Sequence, residues 1–114
     1  MKISDIGEIK LIEKIRTKTK LFSKDVVKGI GDDAAVLKFD KKYYLLLTTD
    51  TLVEDDHFNL KWFKPEQVGK KAIESNVSDI AAMGGFPKYA LASVIMPKTT
   101  SVDFIDGLYD GINK

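Results

Sequence analysis

The chain has 114 residues, 44% of them hydrophobic and 31% charged, with Lys+Arg 18 against Asp+Glu 17. That length accommodates one globular domain, or one domain of something larger, and the hydrophobic share excludes a disordered tail. A formal net charge of +1 excludes nucleic-acid binding by bulk electrostatics, and the lack of cysteine excludes disulfides, thiolate zinc sites and cysteine nucleophiles.

At the N-terminus Lys2, Asp5, Glu8 and Lys10 interrupt the apolar residues, which is unlike a secretory signal. No apolar run approaches the ~20 residues needed to cross a bilayer, so the expectation is a cytoplasmic protein with no membrane partner. Ser4 is placed to cap a helix whose apolar positions are Ile6, Ile9, Leu11, Ile12 and Ile15. Residues 17–28 lose that period and read as an irregular linker. Gly29-Ile30-Gly31 and the acidic pair Asp32-Asp33 follow. Residues 34–39 and 43–49 read as two strands of a hairpin, turning at Asp40-Lys41-Lys42.

Pro65 opens the longest periodic segment, because proline suits a first helical turn. Val68, Ala72, Ile73, Val77, Ile80 and Ala81 recur at three- and four-residue spacing, giving one buried face. Gly84-Gly85 stops this helix and Pro87 prevents its resumption. Residues 88–96 are apolar enough to read as a third strand, buried on both faces. Ser101 then caps a last helix with Phe104, Ile105, Leu108 and Ile112 on one side. The expected fold class is α+β, a small mixed or antiparallel sheet with helices on one face, in a single domain over residues 1–114. So thin a sheet, covered on one side, calls for a second copy or a second domain on the other.

The acidic residues are the candidates for chemistry. Asp32 and Asp33 lie between a glycine turn and a strand, and Asp50 follows Thr48 and Thr49 at a strand end. Such loops are where scaffolds present binding groups. Asp79 lies inside the long helix among apolar neighbours, with Asn76 on nearly the same face. Aspartate is a poor helix-interior residue and is rarely buried without a partner or a metal. Oxygen ligands from Asp33, Asp50 and Asp79 would suit magnesium, which takes one or two carboxylates together with phosphate oxygens. No P-loop and no EF-hand loop can be laid on the chain. His57, read by itself, is a surface-loop residue, and Gly29 and Gly31 an ordinary turn.

Three blocks carry a resemblance: GIGDDAAV at 29–36, TTDTLVEDDHF at 48–58, and residues 69–87 around NVSDIAAMGG at 76–85. They resemble the N-terminal domain of the thiamine-monophosphate kinases, of the aminoimidazole-ribonucleotide-synthetase-like superfamily. The third block is shared across that superfamily, whereas the second, with His57-Phe58, points to the thiamine-phosphate branch. The resemblance implies transfer of the ATP γ-phosphoryl group to thiamine monophosphate, with magnesium and ATP as cofactors. It implies magnesium ligands at Asp33, Thr48, Asp50 and Asp79, a metal contact at Thr49 through its carbonyl, and a thiamine-substrate contact at His57. Gly29, Gly31 and Asp32 would lie on the nucleotide side of the site. It also implies a homodimer whose N-terminal domains share a β-barrel. A phosphate oxygen of the substrate would attack directly, so no protein base is expected.

The family's Gly-Gly-Asp-Thr block and second domain have no counterpart here, so the chain is expected to be the magnesium- and ATP-binding half of such an enzyme. Two other readings stand beside it. One is a non-catalytic dimerisation module of the same fold. The other is a different superfamily enzyme, of the hydrogenase-maturation or selenophosphate type, although the latter would want a reactive cysteine.

Overall fold

A computed structural model describes residues 1–114 as an α+β chain, in the order α1 (Ile3–Lys18), β1 (Val26–Lys28), β2 (Ala35–Lys38), β3 (Tyr44–Leu47), α2 (Pro65–Ala82) and α3 (Val102–Ile112). The chain divides into two compact units, Met1–Thr48 and Thr49–Lys114. No helix is long and apolar enough to cross a membrane.

The first unit holds α1 and a three-stranded antiparallel sheet in the order β1-β2-β3. The β2–β3 hairpin is in regular register, with Ala35 opposite Leu47 and Lys38 opposite Tyr44. Its turn is closed by Asp40, whose Oδ1 accepts from the backbone N–H of Lys42 (2.8 Å) and Tyr43 (2.7 Å). This is the Asx chemistry that the Asp-Lys-Lys sequence suggests. β1 lies inside the stretch expected to be an irregular linker. Only three residues long and bulged between Val26 and Lys28, it is too short to show an alternating pattern. The helix α1 also departs from expectation at its start. It begins at Ile3, and the N-terminal cap is made by Asp5, whose Oδ2 accepts from the Lys2 N–H at 2.7 Å, not by Ser4. Gly7 breaks its regularity at φ +78, and none of its residues is buried. The expected covering of the sheet by helices is therefore not supplied by α1.

The second unit is a helix pair. Pro65 stands at the start of α2, and Gly84, at φ +76, ends it in the left-handed turn that favours glycine. At α3, the Ser101 hydroxyl accepts from the Phe104 N–H at 3.2 Å, the expected cap. The two helices meet backbone to backbone. A Cβ added to Gly69 would lie 2.0 Å from the Leu108 carbonyl oxygen, and one added to Gly111 the same distance from that of Glu66. Glycine at both positions lets Val68 (5% exposed) and Leu108 (7% exposed) close the seam. Each such side chain contributes ~1.5–3 kcal/mol on burial.

Residues 88–96 form no strand, contrary to the sequence reading. Their composition suits a strand, but none of their backbone groups pairs with a strand of this chain. Tyr89, Leu91 and Ile95 are 98%, 104% and 99% exposed, so the segment is also not buried on either face. Strand propensity registers fit to a neighbouring pleated surface, and without a neighbour it produces only an extended run.

Candidate functional site

In the first unit the candidate residues gather at one end of the hairpin. Between β1 and β2 the chain turns through Gly29–Asp33, and Gly31 takes φ +127, a conformation that other residues rarely adopt. Within this turn the two aspartates have different work. Asp32 Oδ2 pairs with Lys28 Nζ at 2.6 Å, and its Oδ1 accepts from the Asp33 N–H at 2.9 Å. The hydrogen bond from Lys28, then that from the Asp33 backbone, hold the Asp32 carboxyl below the usual carboxylate range. Asp32 is thus occupied in shaping the turn. Asp33 is exposed, and its carboxylate has no hydrogen-bond or ion-pair partner in the chain.

Pairing of Ala35 with Leu47 brings the residues just outside the ladder together, and the half-buried Thr48 donates from Oγ1 to the Asp33 carbonyl oxygen at 3.1 Å. Beneath them Ala34 is 3% exposed, which fixes the backbone that carries Asp33. Two residues named from sequence, 15 positions apart, are therefore adjacent in space.

In the second unit Thr49 and Asp50 are exposed, and Asp50 Oδ1 accepts from the N–H of Thr51 at 3.0 Å. Neither Asp50 nor Asp79 has a cationic partner. Asp79 is half-buried on α2. Asn76 does not bond to it, and instead donates from Nδ2 to the Ala72 carbonyl at 2.8 Å, a bond made back along the helix. The loop that precedes α2 is closely tied. His57 donates its N–H to the Val53 carbonyl (2.9 Å) and accepts on Nδ1 from the Val53 N–H (2.8 Å). Its own carbonyl accepts from Lys71 Nζ on α2. Lys71 was not singled out by the sequence, because a lysine on a helix is ordinarily just solvated.

Within neither unit do three acidic or imidazole side chains converge as a metal-holding group. Magnesium does not require such a cage, since it is held by one or two carboxylates with the rest supplied by water and phosphate. Taken unit by unit, the candidate donors are hard oxygens without an ion-pair partner: Asp33 with the Thr48 hydroxyl in one, and Asp50 and Asp79 in the other. Asp32 does not fit, being engaged with Lys28.

Comparison with known proteins gives a consistent result. The model of the family described as AIR synthase related protein, N-terminal domain, matches residues 31–114. The chain is 41% identical over 109 residues to a thiamine-monophosphate kinase of Bacillus subtilis (strain 168), covering 96% of this chain and 33% of that protein. It is 41% identical over 114 residues to the thiamine-monophosphate kinase of Aquifex aeolicus (strain VF5), covering 100% and 35% respectively. With that of Escherichia coli (strain K12) it shares 36% over 110 residues, 94% of this chain and 34% of the relative. The chain thus spans about a third of the length of the curated relatives it matches. No solved structure matches.

Proposed function

Because the chain belongs to the AIR synthase related protein, N-terminal domain, family, we propose that it supplies the magnesium- and ATP-binding part of a kinase that phosphorylates thiamine monophosphate to thiamine diphosphate. The observation that carries this reading is the hairpin register that sets the Thr48 hydroxyl 3.1 Å from the Asp33 carbonyl oxygen, with the Asp33 carboxylate left unpaired beside it. The carboxylates of Asp50 and Asp79 are unpaired too, as are most acids of the chain. All three fall in the segments that resemble the kinases.

Asp33 with the hydroxyl of Thr48 beside it in the first unit, and Asp50, Asp79 and the carbonyl of Thr49 in the second, are the groups that would each offer oxygen ligands to magnesium. Bound there, the metal would neutralise phosphate charge and polarise the transferring group. The chain's own contribution is positioning. Asp32, tied to Lys28 and to the Asp33 N–H, sets the turn from which Asp33 projects. Gly29 and Gly31 form the turn on the nucleotide side, with the Leu21 and Arg16 side chains packed against them. His57 contacts the thiamine phosphate. Its terminal phosphate oxygens are already ionised near neutral pH, so the attacking atom needs no protein base.

The paired-domain arrangement belongs to the same proposal. Residues 88–96 carry open backbone groups and fully exposed Tyr89, Leu91 and Ile95, which is what a strand awaiting a partner requires. A second copy would take this segment into a shared β-barrel, making a homodimer. Nothing in the charge or the composition calls for a nucleic-acid partner.

The test is phosphoryl transfer in the polypeptide that carries this chain. With thiamine monophosphate and ATP, thiamine diphosphate should form only with magnesium present, and Asp50→Ala and Asp79→Ala should each reduce turnover at least about a hundredfold. Turnover that both alanine variants retain would refute the assignment. A dimer that persists without metal and never binds ATP would favour a non-catalytic module instead.

A further inference from the structure

We propose that Lys71 is a positioning residue for His57, holding residues 53–59 so that the imidazole presents its Nε2–H as a hydrogen-bond donor to an oxygen acceptor of the phosphate-bearing substrate. This rests on the reading of His57 as the substrate contact.

Lys71 stands on α2, and its ammonium makes two contacts outside that helix. Nζ donates to the His57 carbonyl oxygen, and it lies 5.7 Å from the centroid of the Phe63 ring, over the face. It has no carboxylate partner. Its neighbour Lys70 behaves as a surface lysine does, 3.7 Å from Glu74 one helical turn on. The two lysines are adjacent in sequence, yet only Lys71 is turned to the loop.

The loop that it holds is knitted around His57. Val53 engages His57 through both backbone groups, its carbonyl accepting from the His57 N–H at 2.9 Å and its N–H donating to Nδ1 at 2.8 Å. Asp55 sits at φ 67, which aspartate tolerates better than most residues. Its N–H donates to the Phe58 carbonyl at 2.6 Å, and its Oδ1 accepts from Asn59 Nδ2 at 3.1 Å.

These bonds settle which ring nitrogen is free. A nitrogen that accepts an N–H holds its lone pair and not a proton, so the neutral imidazole carries its hydrogen on Nε2. Nε2–H has no acceptor within the chain, and His57 is exposed. A ring with its acceptor side satisfied and its donor side open selects an oxygen acceptor over a donor group. Lys71 also ties this donor to α2, the helix that carries Asp79.

The test uses the full chain and three variants. Lys71→Met keeps the stem over Phe63 and removes the donor, Lys71→Gln is a second donor-weakened variant, and Lys71→Arg retains a charged donor. The 15N signals of the His57 ring are recorded, and binding of thiamine monophosphate is titrated alongside. The wild-type chain is expected to show an unprotonated Nδ1 and a protonated Nε2. Lys71→Met and Lys71→Gln should average the two tautomers and weaken thiamine monophosphate binding about tenfold, the value of one charge-assisted hydrogen bond, with Lys71→Arg restoring both. A ring spectrum unchanged in Lys71→Met and Lys71→Gln overturns the positioning role. Altered ring signals with unchanged thiamine monophosphate affinity overturn the link to substrate. Ring signals that respond to Lys71, in a wild-type chain that never binds thiamine monophosphate, overturn the reading of His57 on which the proposal stands.

Discussion

Replacing Gly111 by alanine sets two opposed effects against each other, and the structure decides the sign. In an exposed helix interior alanine is favoured over glycine by about 1 kcal/mol. At Gly111 the added Cβ would lie 2.0 Å from the Glu66 carbonyl oxygen and 2.7 Å from its carbonyl carbon. Ordinary contact is roughly 3.5 Å, so α3 must move away from α2 by more than about 1 Å. The obstructing atoms are backbone in the first turn of α2, which cannot swing aside as a side chain can. Overpacking of this kind costs ~1–3 kcal/mol. Separation of the helices would also give up part of the ~1.5–3 kcal/mol that Val68 and Leu108 each contribute on burial. The expected net is a loss of about 2–4 kcal/mol, a large share of the stability of so small a chain. Gly107→Ala is the matched control on the same face. Its Cβ would meet Glu66 Oε1 and Pro65 Cβ at 3.0 Å; the glutamate end can rotate away, and the proline ring, which cannot, need yield only a few tenths of an ångström. Its expected loss is below about 1 kcal/mol. Urea unfolding followed by helical circular dichroism measures both. A Gly111→Ala chain as stable as the wild type would refute the close approach of α2 and α3.

Other consequences are as direct. Asp33→Ala, Asp50→Ala and Asp79→Ala remove carboxylates without ion-pair partners, so each should leave stability within about 0.5 kcal/mol while abolishing magnesium-dependent nucleotide binding; unfolding curves and binding titrations must separate in this way, and a parallel loss of both would mean a structural role. The Asp32 carboxyl is held below its usual range by Lys28 and the Asp33 N–H, so its contribution is present above the unfolded carboxylate value of about 3.9 and fades only as pH falls through the lower folded value. Amide resonances of residues 29–33 should accordingly titrate below the usual carboxylate range, and a transition centred at or above that range would contradict this pairing. Leu91→Lys, at a fully exposed apolar position of the unpaired segment, should lower self-association in sedimentation without changing helical content, and an unaltered association constant would remove residues 88–96 from the interface.

Much of this was legible in the sequence because local chemistry decided it. Pro65 and Gly84 bound α2, Ser101 caps α3, and Asp40 closes the hairpin turn, each through a bond or a dihedral that its own side chain, or lack of one, determines. What escaped depended on distant partners. β1 is a strand only because β2 lies beside it, and residues 88–96 are not one because this chain offers them no neighbour. Asp32 and Asp33 look equivalent in residue type; the Lys28 side chain reaching forward four positions separates them into a turn-former and an unpaired acid. Thr48 and Asp33 were named separately, and strand register joins them. Lys71 gave no signal, since nothing local distinguishes it from Lys70. The spacing of Gly107 and Gly111, four apart on one helical face, was a readable sign of close helix approach.

Binding of a non-hydrolysable ATP analogue, followed by calorimetry with and without magnesium on the wild-type chain and on Asp50→Asn, bears most directly on the assignment of this chain as the nucleotide- and magnesium-binding part of a thiamine-phosphate kinase. Saturable binding that needs magnesium and is lost in Asp50→Asn is the expected result. Binding that is indifferent to both magnesium and Asp50, or no binding under any condition, would contradict it.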